Sequence, residues 1–217
     1  MHDHIIRTTI VFSVLLCAAA GLPRHADAQH RGGNRPLSDM VRIAVDAGAV
    51  GFGSDYTKTG EHYRYRMFGQ LDVHYLLNQA FALGVFAQVG SMAAQYQETE
   101  ASNTFFGTGI AAELRWPVAR GTAAPYLAFR LGGIFFKPRT STDSYETIGE
   151  PKSALMFGGG IGFEYVIQRQ VGIRLEFGSQ LTSSDELDNL VSGPQNDGFS
   201  YAFLGVSYYL PLGRISR

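Results

Sequence analysis

Eight charged residues fall at strand-like spacing on sides of the chain otherwise held by glycine and alanine: Asp46, Asp72, Glu113, Arg115, Arg130, Glu164, Arg174 and Glu176. A charge enclosed by itself is costly, so carboxylates and guanidinium groups in a narrow enclosure must pair. The chemistry these residue types offer is first of all ion pairing, a plug of opposite charges inside the fold. A gated ion path, or a carboxylate with a raised pKa, is the alternative, and the residues alone leave it open.

The histidines offer less. Beyond position 28 there are His30, His62 and His74. His62 lies close to Ser54, Asp55 and Glu61, types that could form a hydrolase constellation acting on a lipid head group. Nucleophilic catalysis needs a base within hydrogen-bond reach of the hydroxyl, and this spacing does not establish one, so His62 is expected to be a solvated loop residue. His74 shares a side of the chain with Asp72 and is expected to be hydrogen-bonded in the interior. No set of histidines and carboxylates has metal-ligand spacing, and no cofactor is expected. Gly158, Gly159, Gly160 and Gly162 lie mid-strand with no helix after them, so they read as close strand packing and not as a phosphate cradle. The expectation is a protein that is not an enzyme.

The elements that must position these charges are strands. From Met40 onward the apolar residues keep period two. Eight such stretches lie near 40–52, 62–77, 80–95, 104–118, 125–137, 153–167, 171–182 and 198–211. Split by parity, each separates into a greasy side and a small, sparsely charged one. In the seventh, Val171, Ile173, Leu175 and Phe177 oppose Gly172, Arg174, Glu176 and Gly178; in the fifth, Leu127, Phe129, Leu131 and Phe135 oppose Ala128, Arg130 and Gly132.

Periodicity does not choose the solvent, but the content of the second side does. A water-facing surface carries many Lys, Glu, Thr and Ser, whereas glycine, alanine and a few Arg and Glu fit a narrow interior. In lipid, apolar side chains face out and polar ones in. Three connections are short (78–79, 120–123 and 168–170), and four are longer and polar (53–61, 96–103, 138–152 and 183–197); the two kinds alternate. Tyr75, Trp116, Tyr165 and Tyr208 all fall on the greasy parity near a short turn or at the last strand's end, a candidate interfacial girdle. The expected fold is all-β: an eight-stranded antiparallel up-and-down transmembrane β-barrel, its lumen filled by side chains.

The N-terminus sets the compartment. A short apolar run from Ile10 to Ala20 follows a basic start, and Ala26-Asp27-Ala28 precedes Gln29. That run is too short to span a bilayer as a helix and fits a secretory signal peptide cleaved near Ala28. Cys17, the sole cysteine, lies inside this leader and follows Leu16, so it reads as a leader residue and not a lipid-attachment site. The mature chain is then expected to lack disulfides and thiolate chemistry. The expected organisation is a signal peptide over 1–28, a flexible lead-in over 29–39, the barrel over 40–212 and a short tail over 213–217. Glycine is abundant, with 26 residues, aromatics make up 12%, and the formal charge is −1. No basic run interleaves with aromatics, so no nucleic-acid partner is expected.

The last strand, Phe203-Leu-Gly205-Val-Ser-Tyr208-Tyr-Leu210, is similar to the C-terminal signal read by outer-membrane barrel insertion machinery, but is followed by Pro211 to Arg217. With the acidic last loop Ser183-Ser184-Asp185-Glu186-Leu187-Asp188 and Asn196-Asp197-Gly198-Phe199, the chain from about 40 to 212 resembles the OmpA/OprF-type N-terminal barrel family. The resemblance implies a monomer in the cell outer membrane, contacting outer-membrane lipid and handled by the barrel assembly machinery during biogenesis. It also implies roles in envelope integrity, adhesion or weak permeability. A structural, adhesion or loop-mediated binding role is the leading expectation. An outer-membrane lipid-modifying enzyme and a small low-conductance channel are the alternatives.

Overall fold

A computed structural model describes residues 39–53, 63–96, 99–118, 122–141, 145–168, 170–184, 187 and 197–212. The expected leader and its expected cleavage near Ala28, Cys17, His30, the expected lead-in before residue 39, the Ser54, Asp55, Glu61 and His62 group, and the tail over 213–217 lie outside the described residues.

Ten strands follow one another: β1 (Met40–Gly53), β2 (Tyr63–Arg64), β3 (Arg66–Leu76), β4 (Phe81–Tyr96), β5 (Thr99–Arg115), β6 (Ala123–Ser141), β7 (Glu146–Ile148), β8 (Lys152–Gln168), β9 (Val171–Thr182) and β10 (Gly198–Pro211). Two are extensions of the wall. β2 continues the line of β3, pairing with β4 through Tyr63 and Ala94, and β7 runs ahead of β8, pairing with β6 through Arg139 and Ile148. The other eight form the barrel. Each pairs antiparallel with its chain neighbour, and β1 closes the ring on β10 from Met40 opposite Pro211 to Gly53 opposite Gly198. Closure matters because lipid supplies no hydrogen bonds, so an open sheet edge would leave a row of unpaired backbone groups.

Burial runs opposite to that of a water-soluble protein. Phe129 is 57% and Leu131 54% exposed, with Val45, Ile110, Phe157, Phe177 and Leu204 similarly bare, while Arg42, Glu164, Arg174 and Glu176 are 0% exposed. The alternation along β9 shows the cause: Ile173, Leu175 and Phe177 point out and Gly172, Arg174 and Glu176 point in. Period two places every second side chain on one face, and a slip by one residue would exchange the charged set with the greasy one.

Interior glycines leave room for large side chains to cross the lumen. A Cβ on Gly162 would collide with the Tyr126 ring, and one on Gly205 would collide with the Asp46 carboxylate. Any larger residue at either position must displace a member of the interior network.

The strands are longer at one end than the sequence suggests. The segment 96–103, expected to be a loop, carries strand on either side of residues 97–98: Met92 pairs with Asn103, and Tyr96 with Thr99. The strict alternation of short and long connections therefore fails at β4–β5. Likewise the 138–152 segment carries the end of β6 and the whole of β7. Its polar composition marks the level at which the wall leaves the apolar layer and not the end of the hydrogen-bonded ladder. A membrane-crossing strand needs about 9–11 residues, whereas β6 has 19 and β5 and β8 have 17 each. The excess projects at the end opposite Met40 and Pro211, here the far end; the end with the short turns is the near end.

Candidate functional site

Among the described residues, the charged side chains converge in the lumen. Two linked groups fill its middle. In the first, on the near side, Arg42 donates to Glu113 Oε1 at 2.5 Å and to Glu164 Oε2 at 3.3 Å. Arg42 Nη2 also lies 3.1 Å from His74 Nδ1. Because guanidinium only donates, His74 accepts at Nδ1 and carries its proton on Nε2, 3.8 Å from Glu113 Oε1. Glu164 is the acceptor at the centre: Arg115, Ser207 and the Tyr209 hydroxyl, the last at 2.6 Å, all donate to it. Tyr209 also accepts from Arg115 at 3.0 Å.

The second group is built around Arg174. Its guanidinium donates to Asp72 at 3.0 Å, to Glu113 and Glu176 at 3.3 Å each, and to the Tyr126 hydroxyl at 3.1 Å. Arg130 holds Glu176 with both terminal nitrogens, at 2.5 and 3.2 Å, and donates to Tyr201 at 2.6 Å. Such two-point contacts fix orientation as well as charge. The Tyr201 and Tyr126 hydroxyls donate to Glu176 at 2.7 and 3.0 Å, completing its coordination. Asp46 stands apart. Its nearest cation is Arg174 at 3.6 Å, and neither carboxylate oxygen accepts a protein hydrogen bond. Four arginines thus face five carboxylates in one buried cluster.

Apolar layers close the cluster at both ends. Leu76, Ala82, Val166 and Tyr209 pack at the near end, against Met40. Toward the far end lie a Gln88–Gln180 hydrogen bond at 2.9 Å and an aromatic layer of Phe68, Phe105 and Phe199, while Phe86 and Phe203 stand level with the ions, opposite Asp72 and Glu176. Phe68 stacks on Tyr201 at 5.5 Å, and Arg174 lies 5.6 Å from the Phe203 ring, so the aromatic and ionic layers touch. Leu187 joins this layer from the last loop. Its amide donates to Asp197 at 2.9 Å and its carbonyl accepts from Asn103 at 3.0 Å.

All eight charges singled out in the sequence lie in this cluster. Arg42 was missed, although it shares its parity with Asp46 and an alternation count along β1 reaches it. Tyr126, Tyr201 and Tyr209 were missed for another reason: a tyrosine serves either face of a membrane strand, and adjacent Tyr208 and Tyr209 point opposite ways. Among the described residues no group of three or more His, Cys, Asp or Glu is placed to hold a metal ion.

On the outer wall, Tyr75, Tyr165 and Tyr208 are exposed near the short turns and Trp116 is partly exposed beside them. Tyr75 donates to Asp39 at 3.0 Å and Tyr208 to Gln170 at 3.3 Å, each ring lying on the wall with its hydroxyl at a polar edge. Trp116 is the sole tryptophan. In reconstituted protein its fluorescence should be quenched most by lipids brominated near the glycerol end of the acyl chain. Strongest quenching from the chain midpoint would remove it from the interface.

A closed, antiparallel, lipid-facing wall around a charged core defines a transmembrane β-barrel of eight strands. The chain belongs to the outer membrane protein beta-barrel domain family, whose model matches residues 12–209. Among solved structures it is similar to Neisserial surface protein A, with 13% identity over 77% of this chain and 96% of that one and a TM-score of 0.53. It is also similar to Ail, the attachment invasion locus protein of Yersinia pestis, with 14% identity, coverage of 80% and 99%, and a TM-score of 0.50. The N-terminal barrel of Pseudomonas aeruginosa OprF aligns with 12% identity, coverage of 80% and 98%, and a TM-score of 0.41. No curated protein matches the chain in sequence. The outer-membrane barrel class that the last strand and loops resemble is the class found.

Proposed function

We propose that this is a non-conducting outer-membrane barrel that works through its far end, as a binding or adhesion surface held on a rigid stem. The observation carrying this reading is the filled lumen: buried ion pairs in the middle and apolar layers at both ends, with Leu187 set into the far one. Among the described residues, Phe68, Phe105 and Phe199 set an apolar layer across the path a solute would take. What remains available for recognition is the β4–β5 and β6–β8 wall, which stands well beyond the apolar band. In this reading the short turns and termini face the periplasm, as short turns of such barrels do, and residues 1–28 are the export leader.

A narrow, gated path is the second reading, favoured by Asp46 and its lack of a protein hydrogen bond. Planar-bilayer recording separates the two: the wild type should show no conductance steps. Cells displaying the protein should bind immobilised glycans or proteins, and exchanging the far-end segments 95–100 and 138–152 should abolish binding while the barrel keeps its heat-modifiable gel migration. Conductance by the wild type, or binding unchanged by the exchange, would contradict the proposal.

A further inference from the structure

At the far mouth one residue reaches from wall to wall. Leu187 is 1% exposed, its amide donates to Asp197 Oδ2 at 2.9 Å, and its carbonyl accepts from Asn103 Nδ2 at 3.0 Å. Asn103 belongs to β5, and Asp197 immediately precedes β10. In the ring these two strands are opposite: β4, β3 and β1 lie between them on one side, and β6, β8 and β9 on the other. A single residue therefore bars the mouth, its backbone held by one side chain from each of two opposed walls.

Both side chains are aimed by bonds of their own. Asn103 stands opposite Pro138, which has no amide hydrogen to give, and its Oδ1 accepts from the neighbouring Lys137 amide at 3.1 Å. With the oxygen committed there, the amide nitrogen of the side chain faces Leu187 as a donor. On the other wall the Asp197 backbone continues the β9–β10 ladder: Thr182 N donates to its carbonyl at 2.8 Å, and its own amide donates to the Ser184 carbonyl at 3.0 Å. The Thr182 hydroxyl donates to the same Asp197 carbonyl at 3.0 Å. Two residues further into the barrel along these strands come Phe105 and Phe199, whose ring centroids lie 5.4 Å apart. Leu187 belongs to the same buried apolar cluster as both rings.

We infer that Leu187, Asn103 and Asp197 form a latch across the far mouth, and that its release uncovers the aromatic layer while the ion-paired layer below stays shut. The ions are tied to one another by many contacts at once and the wall by its ladders. Among the described residues, the bar is held by two hydrogen bonds and the burial of one leucine. Local opening follows the parts of a fold with the fewest buried contacts, so this closure opens before the layers beneath it. The two side chains hold the same residue from opposite ends, and losing either frees it. Their effects therefore do not add.

The test uses Met92→Cys, a buried position of β4 opposite Asn103, with Cys17 replaced, and follows modification of the new thiol by a charged, water-soluble methanethiosulfonate in lipid vesicles. Modification should be slow in the latched barrel and about tenfold faster when Asn103→Ala or Asp197→Ala is added, the scale of one lost hydrogen bond. Adding both should give no further increase. In Ala128→Cys, opposite Glu113 and level with the ions, the thiol should stay unmodified in every background. The unaltered barrel supplies a second reading that does not depend on any variant folding: the Leu187 amide should exchange with deuterium at least about tenfold more slowly than in a free peptide. Equal rates at Met92→Cys with and without the two side chains, rates that multiply in the double variant, modification of Ala128→Cys rising alongside, or an unprotected Leu187 amide would overturn the latch.

Discussion

Replacing Arg174 with methionine should lower the stability of the folded barrel by about 3–5 kcal/mol, the range for removing one partner from a buried ion pair. Arg174 is the cation shared by Asp72, Glu113 and Glu176, and the nearest one to Asp46. Methionine keeps much of its length and can still lie against Tyr126 and Phe203, so packing is largely preserved while the positive charge is lost. The remaining arginines cover the deficit only in part: Arg42 holds Glu113 as well as Glu164, and Arg130, committed to Glu176, stands 3.8 Å from Asp72, but Asp46 loses its nearest cation. The effect is read from urea titrations of the heat-modifiable band in lipid vesicles. Combining Arg174→Met with Asp46→Asn should recover part of the loss, since it removes the carboxylate whose nearest cation is Arg174. An Arg174→Met barrel as stable as the wild type would mean the lumen is wet enough to solvate these groups, and the gated-path reading would gain.

Leu131→Arg should cost about 2–4 kcal/mol in lipid, and the same change at Leu210, at the near end, about 0–1 kcal/mol, because the penalty for arginine on the lipid face follows depth. Leu131 is 54% exposed and lies midway along the apolar band of β6. On the surface of a soluble protein an exposed leucine could become arginine with little consequence. The size of the loss therefore reports the solvent outside the wall, and its dependence on position reports where the bilayer sits. Equal, small effects at both sites would contradict a lipid-facing β6.

The wall was legible in the sequence because the lipid and the lumen impose opposite demands on alternate residues. In β9 the run Val171, Gly172, Ile173, Arg174, Leu175, Glu176 states both demands in six positions, and its span of 171–182 is recovered unchanged. The far-end extensions were not legible, since Gln95, Glu100 and Asn103 satisfy the strand ladder above the membrane as readily as they would a loop. The pairing scheme was not legible either. Parity marks Arg174 and Asp72 as interior, but their 3.0 Å contact joins β9 to β3 across the lumen, and nothing local to either strand reports it. Leu187 shows the same limit from another side: an apolar residue between Glu186 and Asp188 gives no hint that Asp197 and Asn103 fix it over the aromatic layer.

The most direct test of this account is a spin-label scan along β6 in lipid vesicles, with Cys17 replaced so that each introduced cysteine is the only one. Labels at Phe129, Leu131 and Phe135 should collide with dissolved oxygen, which concentrates in the acyl-chain layer, and not with a water-soluble nickel reagent. Labels at Ala128 and Ile134 should be shielded from both. Nickel access at Ala128 and Ile134 would mean an open aqueous lumen, and nickel access at Phe129, Leu131 and Phe135 would mean that the greasy face does not meet lipid at all.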